Sequence, residues 1–205
     1  MITLLFLLLL LAAIALPGFW VRQVLRRYSE PADRYRNKGS GAELARHLLD
    51  RFGLREVVVE VTPAGDHYDA DAKAVRLMED RYNGYSLTAI TVAAHEVGHA
   101  LQDAGDEALF RHRQRLAKVA VQGQRLGGVV LLAAPVVMLA TRAPGLGLVF
   151  LATAIASMLV GTIVHLITLP VELDASFGKA LPLLAEGAYL HEGDLPHARR
   201  ILRAA

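Results

Sequence analysis

A charge-free apolar run, ITLLFLLLLLAAIALPGFW, occupies residues 2–20 and limits what this chain can fold into. At 1.5 Å per residue, a helix of this length is about as long as the hydrocarbon core of a bilayer is thick. A secretory signal peptide normally has Lys or Arg before its apolar run, and this sequence has neither there. The run therefore predicts a transmembrane anchor. The 54% hydrophobic content agrees with a protein that lies partly in lipid.

Two further apolar runs, residues 126–141 and 143–169, are separated only by a short turn-forming segment with one charge. They predict a transmembrane hairpin. The first run is short and contains Pro135, so it is compatible with a tilted, kinked or partly re-entrant helix. In the second run, Ser157 and Gly161 have the spacing that lets helices approach closely, but in a Gly/Ala-rich run we expect this spacing by chance.

The positions of Lys and Arg predict how these helices are oriented. Cations follow the first run and precede the second, and one lies at the hairpin tip: Arg22, Arg26, Arg27, Arg34, Arg36, Lys38, Arg111, Arg113, Arg115, Lys118, Arg125 and Arg142. Because the cytoplasmic flanks of membrane helices are enriched in Lys and Arg, residues 21–125 and 170–205 are predicted to be cytoplasmic. The prediction is a multi-pass protein of the cell membrane whose candidate site residues share one compartment.

Charge and composition exclude several classes of function. The net charge of +2 provides no strongly basic surface of the kind that nucleic-acid binding requires. Without cysteine, the chain has no disulfide, no thiolate metal ligand and no cysteine nucleophile. We therefore expect no nucleic-acid partner, whereas the apolar runs predict the lipid bilayer as one.

The polar segment after the first apolar run predicts a small α+β unit. Ser40 and Glu43 form a capping box, the apolar residues that follow repeat with helical spacing, and Gly53 would end the helix. The β-branched stretch 54–62 predicts a strand, and residues 72–77 predict a second strand that pairs with it antiparallel. Such a unit is too small to bury much core alone, so we expect it to pack on the membrane helices.

The stretch TVAAHEVGHALQ, residues 91–102, places His95, Glu96 and His99 in a predicted helix that begins after Ser86. Histidines four residues apart project from one helical face, so both can bind one tetrahedral metal ion. The Glu96 carboxylate can take a proton from a water molecule that the metal acidifies and pass it to a leaving amine. This spacing predicts a Zn²⁺ site with the chemistry of zinc proteases.

A catalytic zinc ion usually has three protein ligands and one position open to water, so a third ligand is needed. The cationic stretch RHRQR, residues 111–115, would repel a dication, which makes His112 a poor candidate. The segment HLITLPVELDAS, residues 165–176, is better, because Pro170 is expected to break or restart the helix where it leaves the membrane. The candidate ligands there are Glu172, its near competitor Asp174, and His165 two turns earlier.

Three segments, DHYDADAKAVRL, VAAHEVGHALQ and TLPVELDAS, resemble in this order the bacterial membrane-bound neutral zinc metallopeptidases of the YugP type. The resemblance extends from about Ser40 to the end of the chain. ELDAS is also similar to the Glu-x-x-Ala-Asp segment that carries the third ligand in other membrane gluzincins. The resemblance implies that Glu172, rather than Asp174, is the third zinc ligand.

The function that this resemblance implies is zinc-dependent endopeptidase activity with Glu96 as the catalytic residue. Substrates would be peptides or proteins, with misfolded membrane or membrane-proximal proteins as the expected class. The strand at residues 73–77 would present an open edge to which a substrate peptide can add. The candidates for stabilising the developing oxyanion are His67, Tyr68 and Tyr82.

The alternative function is a non-catalytic membrane scaffold or binding protein with a structural zinc ion. A structural zinc site has four protein ligands, so Asp174 or His165 would then be expected at the metal as well.

The predicted fold is an α+β membrane protein, mainly helical, with about three transmembrane helices and a small zincin-like unit. Its predicted parts are an N-terminal anchor (residues 1–21), a cytoplasmic zincin-like unit (22–125), a transmembrane hairpin (126–169) and a C-terminal cytoplasmic helical segment that carries the third ligand (170–205).

Overall fold

The computed structural model describes residues 2–141 and 144–204. Its α-helices are α1 (Ile2–Tyr28), α2 (Gly41–Arg51), α3 (Glu79–Tyr82), α4 (Leu87–Ala104), α5 (Ala108–Thr141), α6 (Pro144–Leu173), α7 (Leu181–Glu186) and α8 (Leu195–Leu202). A π-helix, Asp174–Ala180, joins α6 to α7, and the strands are β1 (Val58–Val61), β2 (His67–Asp69) and β3 (Ala74–Leu77). The prediction of a mainly helical chain with a small sheet is confirmed.

The described chain divides into two compact units. Residues 2–105 and 173–204 belong to the first unit, and residues 106–172 form the second. The first unit contains the sheet, α1 to α4 and the helices that follow α6, while the second consists mainly of α5 and α6. The two histidines of the predicted zinc motif therefore belong to the first unit.

Short-range sequence patterns determine where α2 and α4 begin. The Ser40 hydroxyl accepts a hydrogen bond from the Glu43 backbone N–H, and the Glu43 carboxylate accepts one from the Ser40 N–H, so the predicted capping box is present. Gly53 follows α2 with a φ of +75°, a conformation that favours glycine. Ser86 caps α4 by accepting a hydrogen bond from the Ala89 N–H at 3.1 Å. The predicted starts of both helices are confirmed.

The sheet has the strand order β1-β3-β2. The predicted pairing of the strand in residues 54–62 with the strand in residues 72–77 is confirmed, because β1 pairs with β3, but the two strands run parallel, so the expected antiparallel direction is wrong. The antiparallel neighbour of β3 is β2. The chain reverses after β2 through Lys73, whose φ is +51°, and β3 then lies between the two earlier strands. The open edge predicted at residues 73–77 is also wrong, because β3 is the central strand and the edges are β1 and β2.

The core of the first unit is organised around α4, in which 15 of 18 residues are buried. α4 packs against α2, β2, β3, the π-helix and α8. The largest fully buried apolar side chains come from α2, β3, α4, α7 and α8 and include Leu48, Leu49, Val75, Leu77, Ile90, Val97, Leu184 and Ile201. Burial of one such side chain contributes about 1.5–3 kcal/mol, so apolar packing holds the motif helix in place.

Asp194 ties the segment after α1 to the start of α8. Its carboxylate is 2% exposed and accepts hydrogen bonds from the Arg34 guanidinium at 2.7 and 2.8 Å and from the Tyr35 hydroxyl at 2.6 Å. Burial raises the pKa of Asp194, but these hydrogen bonds outweigh it, so the net shift is downward. Burial and the hydrogen bond to Asp194 raise the pKa of Tyr35 to about 12. Asp194 is therefore ionised at neutral pH and holds α8 firmly.

α5 and α6 carry the apolar segments predicted to cross the membrane. Ala108–Ala140 and Leu159–Glu186 are each long and apolar enough to do so. Large apolar side chains on these helices face outward; Leu132 is 80% exposed and Leu139 is 84% exposed. Extensive exposed apolar surface marks a site of contact with lipid or protein. Residues 142 and 143, at the predicted hairpin tip, lie outside the described residues.

α5 and α6 approach each other closely at small residues, which corrects the expectation that the Ser157 and Gly161 spacing arose by chance. The Ser157 hydroxyl donates a hydrogen bond to the Gly123 carbonyl at 3.1 Å. A Cβ added at Gly127 would lie 2.1 Å from Ser157 Oγ, and one at Gly161 would lie 2.4 Å from the Gln124 amide nitrogen. The absence of side chains at these glycines allows the two helices to meet.

Pro170 does not break α6, so the expected helix break is wrong. The helix passes through Pro170 to Leu173 and continues directly into the π-helix. Proline removes a single backbone donor, a loss that a long helix can accommodate where its surroundings supply other contacts. The departure from α-helical geometry comes four residues later, at Asp174.

α1 contains the apolar run 2–20 and continues to Tyr28. The side chains of residues 2–14 lie outside the described part of the structure, and the anchoring role of the run stays a prediction. At the other end of α1, the Leu25 carbonyl accepts a hydrogen bond from the Thr88 hydroxyl of α4 at 2.8 Å. The cytoplasmic end predicted for α1 is thus connected to the motif helix.

Candidate metal centre

The three residues of the predicted zinc motif are buried in the middle of α4. His95 and Glu96 are each 5% exposed, and His99 is 3% exposed. The four-residue spacing places the two imidazole rings side by side, with 4.8 Å between their centroids. Burial of three such groups is unfavourable unless partners or a metal ion compensate for the lost hydration.

Glu172, the third predicted ligand, lies close to the two histidines. One ligand atom from each of His95, His99 and Glu172 can be chosen so that all three lie within 4.8 Å of one another. Glu172 is the penultimate residue of α6, and Leu173 after it belongs to the first unit. The three predicted ligands thus form a group that could hold a metal ion.

A chain of hydrogen bonds orients His99. Its Nδ1 lies 2.9 Å from Oε1 of Gln102, while Nε2 of Gln102 donates to Asp174 at 2.8 Å. Asp174 also accepts a hydrogen bond from Lys179 at 2.6 Å. Because Oε1 of Gln102 can only accept, Nδ1 of His99 carries the proton, and Nε2 is left with the lone pair that a metal ion needs.

His95 is oriented from the π-helix. Its Nδ1 lies 3.1 Å from the Ser176 hydroxyl, which itself reaches the Leu202 carbonyl at 3.4 Å. With the Ser176 proton directed to that carbonyl, its oxygen accepts from Nδ1–H of His95 and leaves Nε2 for a metal ion. Gly98 makes this approach possible, because a Cβ there would lie 2.7 Å from the Ala175 carbonyl oxygen.

Arg113 holds the carboxylate of Glu172. Its Nε and Nη2 donate to the same oxygen, Oε1, at 2.7 and 2.6 Å. Such charge-assisted bonds to a carboxylate fix its orientation as well as its position. The basic stretch that would repel a dication therefore contains the residue that positions a candidate ligand.

The other residues considered for the site are engaged elsewhere or exposed. Asp174 binds Gln102 and Lys179, and the side chains of His165 and His112 are exposed. The Tyr68 hydroxyl donates to Asp103 at 2.7 Å, and burial followed by this bond raises the pKa of Tyr68 above its ordinary value. Tyr68 therefore stays protonated, with its hydroxyl hydrogen directed to a carboxylate.

Three positioning residues were missed by the sequence reasoning: Gln102, Arg113 and Ser176. Gln102 had a signal, since it lies three residues after His99 and so shares its helical face. Arg113 and Ser176 had no such sequence signal, because they lie on elements other than α4.

The fold and site define a mainly helical protein with long apolar helices and a His-His-Glu group, two buried histidines and a half-buried glutamate, that could hold a metal ion. Residues 2–205 match the family described as "Putative neutral zinc metallopeptidase", and the chain belongs to this family. It is 32% identical over 211 residues to "Putative membrane protease YugP" of Bacillus subtilis (strain 168), covering 98% of this chain and 87% of that protein. No solved structure matches the chain. The resemblance of the three sequence segments is thereby confirmed.

Proposed function

We propose that this chain is a membrane-anchored zinc endopeptidase that hydrolyses peptide bonds in protein substrates. His95, His99 and Glu172 hold the zinc ion, and Glu96 is the catalytic residue. The observation that carries the proposal is the convergence of three ligand atoms within 4.8 Å of one another, beside the buried carboxylate of Glu96.

The donor set suits a catalytic zinc ion. Two imidazole nitrogens and one carboxylate oxygen are a common catalytic combination, whereas a structural zinc ion has four protein ligands. Among the described residues, the group able to hold a metal contains three ligands, and Asp174 is bound to Gln102 and Lys179. This favours hydrolysis over a scaffold with a structural metal ion.

The chemistry of the site is divided between the metal ion and the chain. A bound zinc ion would act as a Lewis acid, lowering the pKa of the attacking water and polarising the substrate carbonyl. Glu96 accepts a proton from the attacking water and donates it to the nitrogen of the leaving amine. Gln102 and Ser176 keep His99 and His95 in the tautomer that presents Nε2, while Arg113 orients Glu172.

We infer that a substrate peptide adds to the edge of the sheet at β2. Strand addition needs an edge, and the strand order leaves β1 and β2 at the edges. β2 is tied to the motif helix, because Tyr68 of β2 binds Asp103, four residues after His99. Lys73, which immediately precedes β3, binds the same carboxylate. Backbone hydrogen bonds to an edge strand demand little of the substrate sequence, which suits unfolded segments of proteins as substrates.

The proposed location is the cell membrane, with the site on the cytoplasmic side. The support is the apolar run 2–20, the two apolar helices of membrane-spanning length, and the Lys and Arg residues that flank them. Proteins that expose unfolded segments at the cytoplasmic membrane surface are the proposed substrates.

Removal of the metal tests this function. The detergent-purified chain is expected to contain about one zinc ion and to cleave an unfolded test protein such as reduced casein. A chelator should abolish cleavage, and added Zn²⁺ should restore it. Zinc content by mass spectrometry and fragments by gel electrophoresis provide the readouts. One bound zinc ion without cleavage would favour the scaffold function, and no zinc would contradict the site.

Gln102→Leu is expected to weaken zinc binding by about 10–100-fold, because His99 loses the acceptor that fixes its tautomer. Leu has a similar volume and suits the buried position, so the fold should be retained. Zinc affinity is measured by competition with a chelator of known affinity. Gln122→Leu on the exposed surface of α5 is the matched control and should bind zinc as wild type does. Equal affinity of Gln102→Leu and the control would show that Gln102 does not position His99.

A further inference from the structure

A basic cavity lies between α1 and α8, away from the residues of the candidate metal centre. Its volume is about 570 Å³, and its lining consists of Trp20, Gln23, Val24, Arg26, Arg27 and Arg200. Both helices belong to the first unit. Two neighbouring arginines of α1, Arg26 and Arg27, therefore line the same cavity as Arg200, which is distant from them in sequence.

The arginines of this cavity lack a counter-charge in the described residues. Arg34, Arg81 and Arg113 each form an ion pair with a carboxylate elsewhere. Within residues 2–141 and 144–204, no side-chain hydrogen bond or ion pair involves Arg26, Arg27 or Arg200. Like charges brought together repel one another, so an anion in the cavity would be stabilised by all three.

The packing of α8 fixes the backbone position of Arg200, whose side chain is exposed. Ala198, Ile201 and Leu202 of this helix are buried, and Asp194 at its start is fixed by Arg34 and Tyr35. The cavity is therefore built from two packed elements and differs from a cluster of flexible cations at the end of a single membrane helix.

The position of the cavity indicates the source of the anion. Trp20 ends the apolar run 2–20, and Trp is enriched at the membrane–water interface. Arg26 follows six residues later, about 9 Å further along the helix, which places it near the outer edge of a headgroup region about 5–8 Å thick. Trp20 and Val24 add apolar surface beside the guanidinium groups, which suits a lipid better than a free inorganic anion.

We propose that this cavity binds the phosphate of an anionic phospholipid headgroup, with Arg26, Arg27 and Arg200 as the donors. Guanidinium groups bind phosphate through paired, charge-assisted hydrogen bonds, and juxtamembrane cations attract anionic lipids. The bound phosphate links α1 to α8 and so stabilises the first unit. This site is independent of the zinc centre and of peptide hydrolysis, and it rests on the proposed membrane location of the chain.

The test uses the full-length, delipidated protein in a neutral detergent. Phosphatidylglycerol, phosphatidylcholine and inorganic phosphate are added separately, and native mass spectrometry and the thermal unfolding midpoint report binding. Phosphatidylglycerol is expected to bind and raise the midpoint, whereas phosphatidylcholine and millimolar inorganic phosphate are not. Arg200→Gln should weaken phosphatidylglycerol binding by about tenfold, as expected for loss of one charged donor.

Arg199→Gln is the matched control, because Arg199 is exposed on the same helix and does not line the cavity. It makes the same change in charge and should bind phosphatidylglycerol as wild type does. Equal losses in the two variants would overturn the proposal in favour of non-specific attraction to the surface. Equal effects of the two lipids would also overturn it, and a full effect of inorganic phosphate would identify a free-anion site instead. Unchanged circular dichroism spectra of both variants would show that their fold is intact.

Discussion

Glu96→Gln is expected to lower the rate of peptide hydrolysis by about 10²–10⁴-fold while zinc content stays at the wild-type value. The amide has the size of the carboxylate but cannot accept a proton from the attacking water. Glu96 is 5% exposed and lies outside the proposed ligand set, so the substitution should leave metal binding unchanged. Loss of activity without loss of zinc would separate the role of Glu96 from that of the ligands.

The measured quantity is the initial rate at which each variant cleaves an unfolded protein, and zinc content is determined on the same samples. Glu186→Gln is the matched control, since Glu186 is an exposed glutamate at the end of α7. The control should retain wild-type activity. Undiminished proteolysis by Glu96→Gln would exclude Glu96 as the catalytic residue, whatever the zinc content.

Glu172→Gln is expected to weaken zinc binding by more than the roughly 100-fold that loss of an outer-shell partner costs. The neutral amide is a poor zinc ligand, and its loss would leave only His95 and His99 at the metal. Arg113 would also lose the carboxylate that it binds at 2.6–2.7 Å. Cleavage activity should fall with the zinc content and recover in part at high Zn²⁺ concentration.

Two further variants distinguish the candidate ligands. Asp174→Asn is expected to weaken zinc binding by about 10–100-fold, because Asp174 acts on His99 only through Gln102. His165→Ala should have no effect, because this side chain is exposed. A larger loss of zinc in Asp174→Asn than in Glu172→Gln would make Asp174 the third ligand. Circular dichroism of each variant confirms that the helices are formed.

The helices were predictable where the determinants lie within a few residues. The Ser40–Glu43 capping box and the Ser86 cap each join groups three residues apart, so local sequence is sufficient. The pairing of the strands was not predictable in this way. Alternation within residues 74–77 indicates that a strand forms there, but it does not show that the strand is central, with a parallel partner on one edge and an antiparallel partner on the other.

Pro170 is a second position at which local sequence did not predict the backbone geometry. A proline inside a helix-forming stretch favours a break in the helix. α6 nevertheless continues through Pro170, and the π-helix begins only at Asp174. π-Helical segments are frequent at functional sites, and this one carries Ser176, the partner of His95. No short-range pattern marked residues 174–180 for that geometry.

The sequence by itself determined that His95 and His99 lie on one face of a helix, with Glu96 beside them. Residues four apart in an α-helix project from the same side, whatever the surrounding fold. The sequence also determined which stretches are apolar enough for a bilayer. Only the tertiary structure decided how the histidine tautomers are set, which strand edges are open, and that Arg113 holds Glu172. The physical reason is that the strand order, the His95–Ser176 contact and the Arg113–Glu172 contact depend on hydrogen bonds between groups far apart in the chain, and that Gln102 near His99 is itself fixed by the distant Asp174; packing rather than local sequence selects these partners.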